Sequence, residues 1–278
     1  MRKIKQIGIS SLKHWREISC VYFIQLLIGL AVGLSFCGAL CSSLDRSMVL
    51  DQLAKGFDRT VIMDVINSNH GVLDGVQSLA FSLLGIYLLL SVLLQAGWLA
   101  NIKNNIYSLK SLFKNGLKFF FPFLGIALIS ILLIALFGGV FGIAFTKVVG
   151  DPLVTFSSEK PYVIWIIILA IVFILWLIII WSWSVSSRLH FIDGNSFFTS
   201  LKLGFKTVRN KWIKFLSIGM LLIGIHVLLM FVYYWVMGDR GAPSWIIVLF
   251  GILVQQIFAF VRVALRGFGY SLLEDLHV

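Results

Sequence analysis

The chain has 278 residues, of which 59% are hydrophobic and 13% charged, with a mean hydropathy of +0.98 and a net charge of +11. A soluble domain needs polar cover, with about 25% charged residues, so a water-soluble fold is excluded and the solvent is largely lipid. The basic excess then reads as the Lys and Arg that membrane proteins collect in cytoplasmic loops, and not as a nucleic-acid footprint.

A bilayer core of about 30 Å takes about 20 mainly apolar helical residues. Six stretches meet this: residues 20–44, 77–100, 119–145, 162–186, 213–237 and 244–264. Backbone groups in lipid must be satisfied within their own segment, which dictates helices. The unbroken apolar run 163–180 lacks the alternation of an outer-membrane barrel. The expected fold class is all-α: a polytopic membrane bundle of six transmembrane helices, forming one integral membrane domain over residues 1–278.

Ahead of the first span, residues 3–16 carry Ile4, Ile7, Leu12 and Trp15 among basic residues, a weakly amphipathic helix. The first apolar run lasts past Ala39 and no A-x-A site follows, so it is expected to be a retained helix and not a signal peptide. Cys20, Cys37 and Cys41 cluster here, an odd set that argues against a disulfide framework. Cys37 and Cys41 are one turn apart, but no second pair completes a metal site; no metal and no cofactor is expected. Residues 45–76 form the one long external loop. Within it Met48, Leu50, Leu53 and Phe57, then Val61, Ile62, Val65 and Ile66, predict two short surface helices, and residues 67–75 hold turn residues.

The connections on the other side are more distinctive. Residues 104–118 place Ile106, Leu109, Leu112, Phe113 and Leu117 on one face beside Lys110, Lys114 and Lys118. Residues 196–212 repeat the design, with Phe197, Phe198, Leu201, Phe205 and Val208 against Lys202, Lys206 and Arg209. Asn195 or Ser196 is the expected N-cap after an Asp193-Gly194 turn. Basic amphipathic helices of this kind lie in the lipid headgroup plane. A shift of 92 residues lays Ser108-Leu109-Lys110 on Ser200-Leu201-Lys202, and Ser11-Leu12-Lys13 repeats the tripeptide. The chain then reads as three parallel units, each an amphipathic helix and a transmembrane hairpin, or as a coincidence of low-complexity apolar sequence.

With the N-terminus inside, 17 of the 23 Lys and Arg are cytoplasmic; Arg46, Lys55, Arg59, Lys147, Lys160 and Arg240 stay outside. That split predicts both termini in the cytoplasm.

The most specific stretch runs Ser187-Arg188-Leu189-His190-Phe191-Ile192-Asp193-Gly194, then Phe197-Phe198-Thr199-Ser200-Leu201-Lys202, and ends Arg209-Asn210-Lys211-Trp212. It resembles bacterial six-helix membrane proteins that include the membrane domain of some glycerophosphodiester phosphodiesterases and stand-alone relatives of unknown function. There, an Arg-bearing helix end precedes a D-G turn, a basic amphipathic helix and the fifth membrane helix. The resemblance covers topology along the whole chain and motif over about thirty residues. It implies architecture and residence in a bacterial inner membrane. No soluble region is long enough for the phosphodiesterase barrel, so it implies no catalysis.

Enzyme signatures are missing: there is no G-x-S-x-G, H-E-x-x-H or P-loop. The five histidines are far apart in sequence. Polar groups inside a bilayer are functional suspects, and here they are Gln25, Gln95, His226, Gln255 and Gln256, with Arg262 near the inner boundary. His226 and Gln255 could meet in the core; the plainer role is one interhelical hydrogen bond, worth about 0.6 kcal/mol. Gly29/Gly33 and Gly138/Gly142 are small-x-x-x-small pairs suited to helix packing or dimerisation. Arg188 and Asp193 bracket a helix end, either as a local ion pair or as part of an anionic headgroup site with Lys202, Lys206 and Arg209.

Two functions follow as expectations. The first is a non-enzymatic scaffold, partner subunit or lipid-linked regulator. It would act through a basic cytoplasmic collar of Arg188, Asp193, Lys110, Lys114, Lys202, Lys206 and Arg209. Its partners would be anionic membrane lipids and a protein partner or second copy. The rival is a permease for a hydrophobic or amphiphilic solute, which requires a cavity between the helices.

Overall fold

The computed structural model describes residues 13–44, 70–149, 159–237 and 245–277. Among these residues are seven helices and no strand. They are α1 (Trp15–Leu44), α2 (His70–Asn104), α3 (Leu109–Val149), α4 (Glu159–Ile192), α5 (Phe197–Asn210), α6 (Trp212–Met237) and α7 (Trp245–His277). All but α5 are long and apolar enough to cross a bilayer, so the all-helical polytopic bundle stands. The expected N-terminal amphipathic segment, apart from residues 13–16, and the paired surface helices of residues 45–69 lie outside the described residues. Residues 70–75, expected within a turn, belong to α2.

Interhelical contacts gather the start of α1, the end of α2, the start of α3, the end of α4 and the end of α7 at one end of the bundle, the basic end. The core lies toward it. Trp98, Leu99, Leu112, Phe123, Leu189, Phe215, Tyr270 and Leu273 are buried there. Away from it, apolar side chains such as Phe81, Leu136, Ile167, Phe231 and Leu249 stay exposed on the chain. Lipid contact makes such exposure inexpensive.

The two basic amphipathic segments differ in structure. Residues 197–210 form the separate helix α5, as expected, with Ser196 at the N-cap in extended conformation. Gly194 in the preceding turn has φ +90, a region open to glycine. Residues 109–118 form no separate interfacial helix. They are the first turns of α3, which continues unbroken for 41 residues. Glycine explains the difference. A Cβ at Gly97 of α2 would overlap the Leu112 carbonyl, and one at Gly116 of α3 would lie 2.7 Å from the Leu93 carbonyl. These two glycines let α2 and α3 meet backbone to backbone, which holds the segment in line with its span. Pro122, expected near a helix start, consequently sits well inside α3; membrane helices accommodate such a proline.

Gly219 on α6 against Ile178, and Gly204 on α5 against Ser187, make two further close approaches. The glycine pairs singled out in the sequence do not take this role among the described residues. There, a Cβ at Gly29, Gly33 or Gly142 would meet no atom within 4 Å, and one at Gly138 would meet only Phe173, at 3.7 Å.

Candidate functional site

Two polar clusters weld the basic end. In the first, Glu17 and Asn101 are fully buried, at 1% and 0% exposure. His14 Nδ1 lies 2.7 Å from Glu17 Oε2, and Asn101 Nδ2 donates to Glu17 Oε1 at 2.8 Å. Ser111 Oγ and Asn115 Nδ2 both donate to Asn101 Oδ1, at 2.8 and 3.0 Å. Buried polar groups need hydrogen-bond partners, and this network supplies them to Glu17 and Asn101 while tying α1, α2 and α3 together.

The second cluster centres on Asp193. Lys103 donates to its Oδ1 and also to the Leu189 carbonyl, the latter at 3.3 Å. His277 Nε2 lies 2.9 Å from its Oδ2. Burial pushes the Asp193 carboxyl up, but hydrogen bonds from Lys103 and His277 outweigh this and hold it below the usual carboxylate range. His190 packs on His277 with ring centroids 4.2 Å apart, and its Nε2 meets Thr207 Oγ1 at 3.0 Å. The expected Arg188–Asp193 ion pair is not formed; Lys103 and His277 take its place.

Beneath this end a half-open cleft of about 540 Å³ runs between α1, α2, α4, α6 and α7. Its apolar wall includes Leu177, Ile178, Trp181, Leu222 and Ile223. Its polar wall is Gln25, Tyr87, His226, Arg262 and Arg266, and no carboxylate among the described residues lines it. Arg262 and Arg266 are one turn apart on α7 and so share a face. Arg266 is fixed: its Nε donates to Tyr270 Oη at 2.7 Å. No protein hydrogen bond or ion pair holds Arg262 among the described residues, and it is exposed to the cleft. Gln25 Nε2 donates to Tyr87 Oη at 3.1 Å. His226 Nδ1 donates to the Leu222 carbonyl at 2.8 Å.

The depth of the arginines follows from the helix. At about 1.5 Å per residue, Arg262 and Arg266 lie about 26 and 32 Å along α7 from Trp245. If that end marks the far edge of a hydrocarbon core of about 30 Å, both guanidinium groups reach the headgroup boundary on the basic side.

The sequence-derived site residues divide between these places. Lys110, Lys114, Lys202, Lys206 and Arg209 are exposed at the basic end, as a collar requires. Arg188 is not part of it. Its side chain is 5% exposed and packs over the Phe123 ring at 5.4 Å, and its Nε has no hydrogen-bond partner among the described residues. Arg188 lies within electrostatic reach of Tyr270 and Arg266. Gln25 and His226 line the cleft, and Gln95 lines a smaller neighbouring cavity with Trp98 and Arg266. The His226–Gln255 pair is not made: Gln255 is exposed away from the cleft, and Gln256 instead accepts from Tyr22 Oη at 2.7 Å.

Glu17, Asn101, Lys103 and Arg266 are the residues that sequence reasoning missed as site residues. For Arg266 a signal existed, since Arg262 and Arg266 stand at helical spacing directly after an apolar run.

Compared with known protein families, curated proteins and solved structures, the chain matches none. Fold and site together define a class: a multi-pass helical membrane protein with an arginine-bearing cleft between its spans.

Proposed function

We propose that this is a non-enzymatic membrane protein that holds an anionic amphiphile, with the acidic head on Arg262 and Arg266 and the apolar part along Leu222, Ile223 and Ile178. One observation carries this reading. Two arginines one turn apart line a cleft that has no carboxylate among the described residues, and its remaining wall is mostly apolar. At the headgroup boundary, beside a mostly apolar wall, such arginines are placed to meet an anionic head. An acidic lipid head supplies the missing partner through charge-assisted hydrogen bonds.

The basic end is proposed to face the cytoplasm of a bacterial inner membrane, in keeping with the charge split and with the family resemblance of residues 187–212. There the exposed lysines of α3 and α5 rest against anionic headgroups, each contributing about 1 kcal/mol. The lipid-linked regulator and the basic collar are thus one device. Anionic lipids gather at the collar, and one is held in the cleft.

A second reading, a permease for an amphiphilic solute, is favoured by a separate observation. The cleft extends past the arginines to His226, toward the middle of α6. Native mass spectrometry from mild detergent tests the first reading. The protein should retain one acidic phospholipid in preference to a zwitterionic lipid with the same chains. Equal retention of the two would remove the arginine-based reading. Vesicle flux of a fluorescent acidic lipid, dependent on Arg262, would move the assignment to the permease.

A further inference from the structure

Among the described residues, one group of metal-ligating side chains comes together: His190, Asp193 and His277. The cleft reading does not use it, and none of its three residues lines the cleft. We propose that these three residues form a site for a divalent transition-metal ion of the zinc class, which pins the end of α7 to the α4–α5 turn.

The donor set is two imidazoles and one carboxylate, which suits zinc and its neighbours and disfavours magnesium or calcium. One ligand atom from each residue lies within 4.8 Å of the others. Around a tetrahedral ion, ligands at about 2.1 Å stand about 3.4 Å apart. Small side-chain rotations close that gap. His277 Nε2 and Asp193 Oδ2, at 2.9 Å, are already nearer than that.

The outer partners are in place. Metal-bound histidines and carboxylates are characteristically held from behind by a second hydrogen bond. Thr207 holds His190 through Nε2, and Lys103 holds Asp193 through Oδ1, which leaves Oδ2 for the ion. Lys103 brings a positive charge, but Glu274 stands within electrostatic reach of it and offsets that charge.

His277 Nε2 is the nitrogen turned toward Asp193 Oδ2, and the His277 side chain is only 7% exposed, so a ligating nitrogen and a ligating oxygen already face each other where water has little access.

The test uses the 278-residue chain in mild detergent, purified through a tag free of histidine and stripped with chelator. Zinc chloride is titrated by calorimetry, with stoichiometry read by elemental mass spectrometry. One zinc per chain is expected. His190→Ala and His277→Ala should each weaken it by at least about 100-fold, whereas His226→Ala in the cleft should leave it unchanged. Thr207→Val should weaken it less, by about 10-fold. Cobalt(II) added to the unsubstituted protein should give the absorption of a four-coordinate nitrogen–oxygen site. That spectrum decides the matter if the histidine variants fail to fold. Absence of stoichiometric zinc, a six-coordinate cobalt spectrum, or zinc uptake that survives both histidine variants but is lost with Cys37 and Cys41 would each overturn the proposal.

Discussion

Arg262 offers the cleanest perturbation of the cleft, because no hydrogen bond or ion pair ties it to another described residue. It is exposed to the cleft and has no protein partner among the described residues, so Arg262→Gln orphans no buried group. Stability should stay within about 0.5 kcal/mol of the parent, as for other substitutions that leave packing intact. Binding should change more. A basic residue at an anionic headgroup contributes about 1 kcal/mol, and a hydrogen bond to a charged group in a partly desolvated site contributes about 1.5–3 kcal/mol. The expected loss of about 1–3 kcal/mol corresponds to about 5- to 150-fold in affinity for an acidic lipid. Zwitterionic lipid should bind as before. The assay is competitive retention of acidic against zwitterionic lipid in nanodiscs, read by native mass spectrometry, beside a thermal unfolding curve. Unchanged acidic-lipid preference in a folded Arg262→Gln protein would refute the reasoning, and so would an equal loss for both lipids.

Three more outcomes are expected. Asn101→Ala should be severe. It removes the donor to Glu17 and the acceptor for Ser111 and Asn115, a loss of about 3–5 kcal/mol on the scale of buried and charged hydrogen bonds, measurable by denaturant unfolding in detergent. Gly97→Ala should cost about 3 kcal/mol or more, since its Cβ would overlap the Leu112 carbonyl and force the backbones of α2 and α3 apart; Gly29→Ala, which meets nothing, should unfold as the parent does. Lys202→Glu with Lys206→Glu should deplete acidic lipid around the protein without altering its melting temperature, because both side chains are exposed; a large drop in melting temperature would show that α5 charges hold the fold together.

What the sequence made legible is what composition and local period can encode. The six apolar runs mark the spans because lipid imposes a length and a polarity on each helix separately. Phe197, Leu201 and Val208 mark α5 because its pattern is carried within fourteen residues. Residues 109–118 have much the same pattern, yet they join α3. The deciding contacts are Gly97 with Leu112 and Gly116 with Leu93, which belong to the packing of two helices and leave no mark in either period. The polar clusters were hidden for a similar reason. Glu17 meets Asn101 across 84 positions, and Asp193 meets His277 across the same interval. Arg266 escaped differently, and Arg262 read only as a boundary residue. Ending the last span at residue 264 made both of them cations of a kind that every membrane protein carries. The continuation of α7 to His277 makes them part of one long helical face, with Arg266 anchored on Tyr270.

That continuation also links the cleft to the basic end. α7 has 33 residues, about 50 Å at the helical rise, so about 20 Å of it exceeds a 30 Å hydrocarbon core. The excess is not loose. Lys211 donates to the Leu276 carbonyl at 2.6 Å, His277 meets Asp193, and Tyr270 packs edge-on against Trp98. A helix held so firmly beyond the membrane cannot slide along its axis or rotate without breaking buried polar contacts. The register of Arg262 and Arg266 against the bilayer is therefore set by the welded basic end, and not by the arginines' own preference for water. The welded end thus keeps both cations facing the cleft. It also makes a joint expectation. Asp193→Asn, which loosens the end of α7 and touches nothing in the cleft, should weaken acidic-lipid retention along with stability, whereas Arg262→Gln should weaken retention alone. If Asp193→Asn lowers the melting temperature and leaves lipid preference untouched, the basic end stabilises the bundle without positioning its arginines.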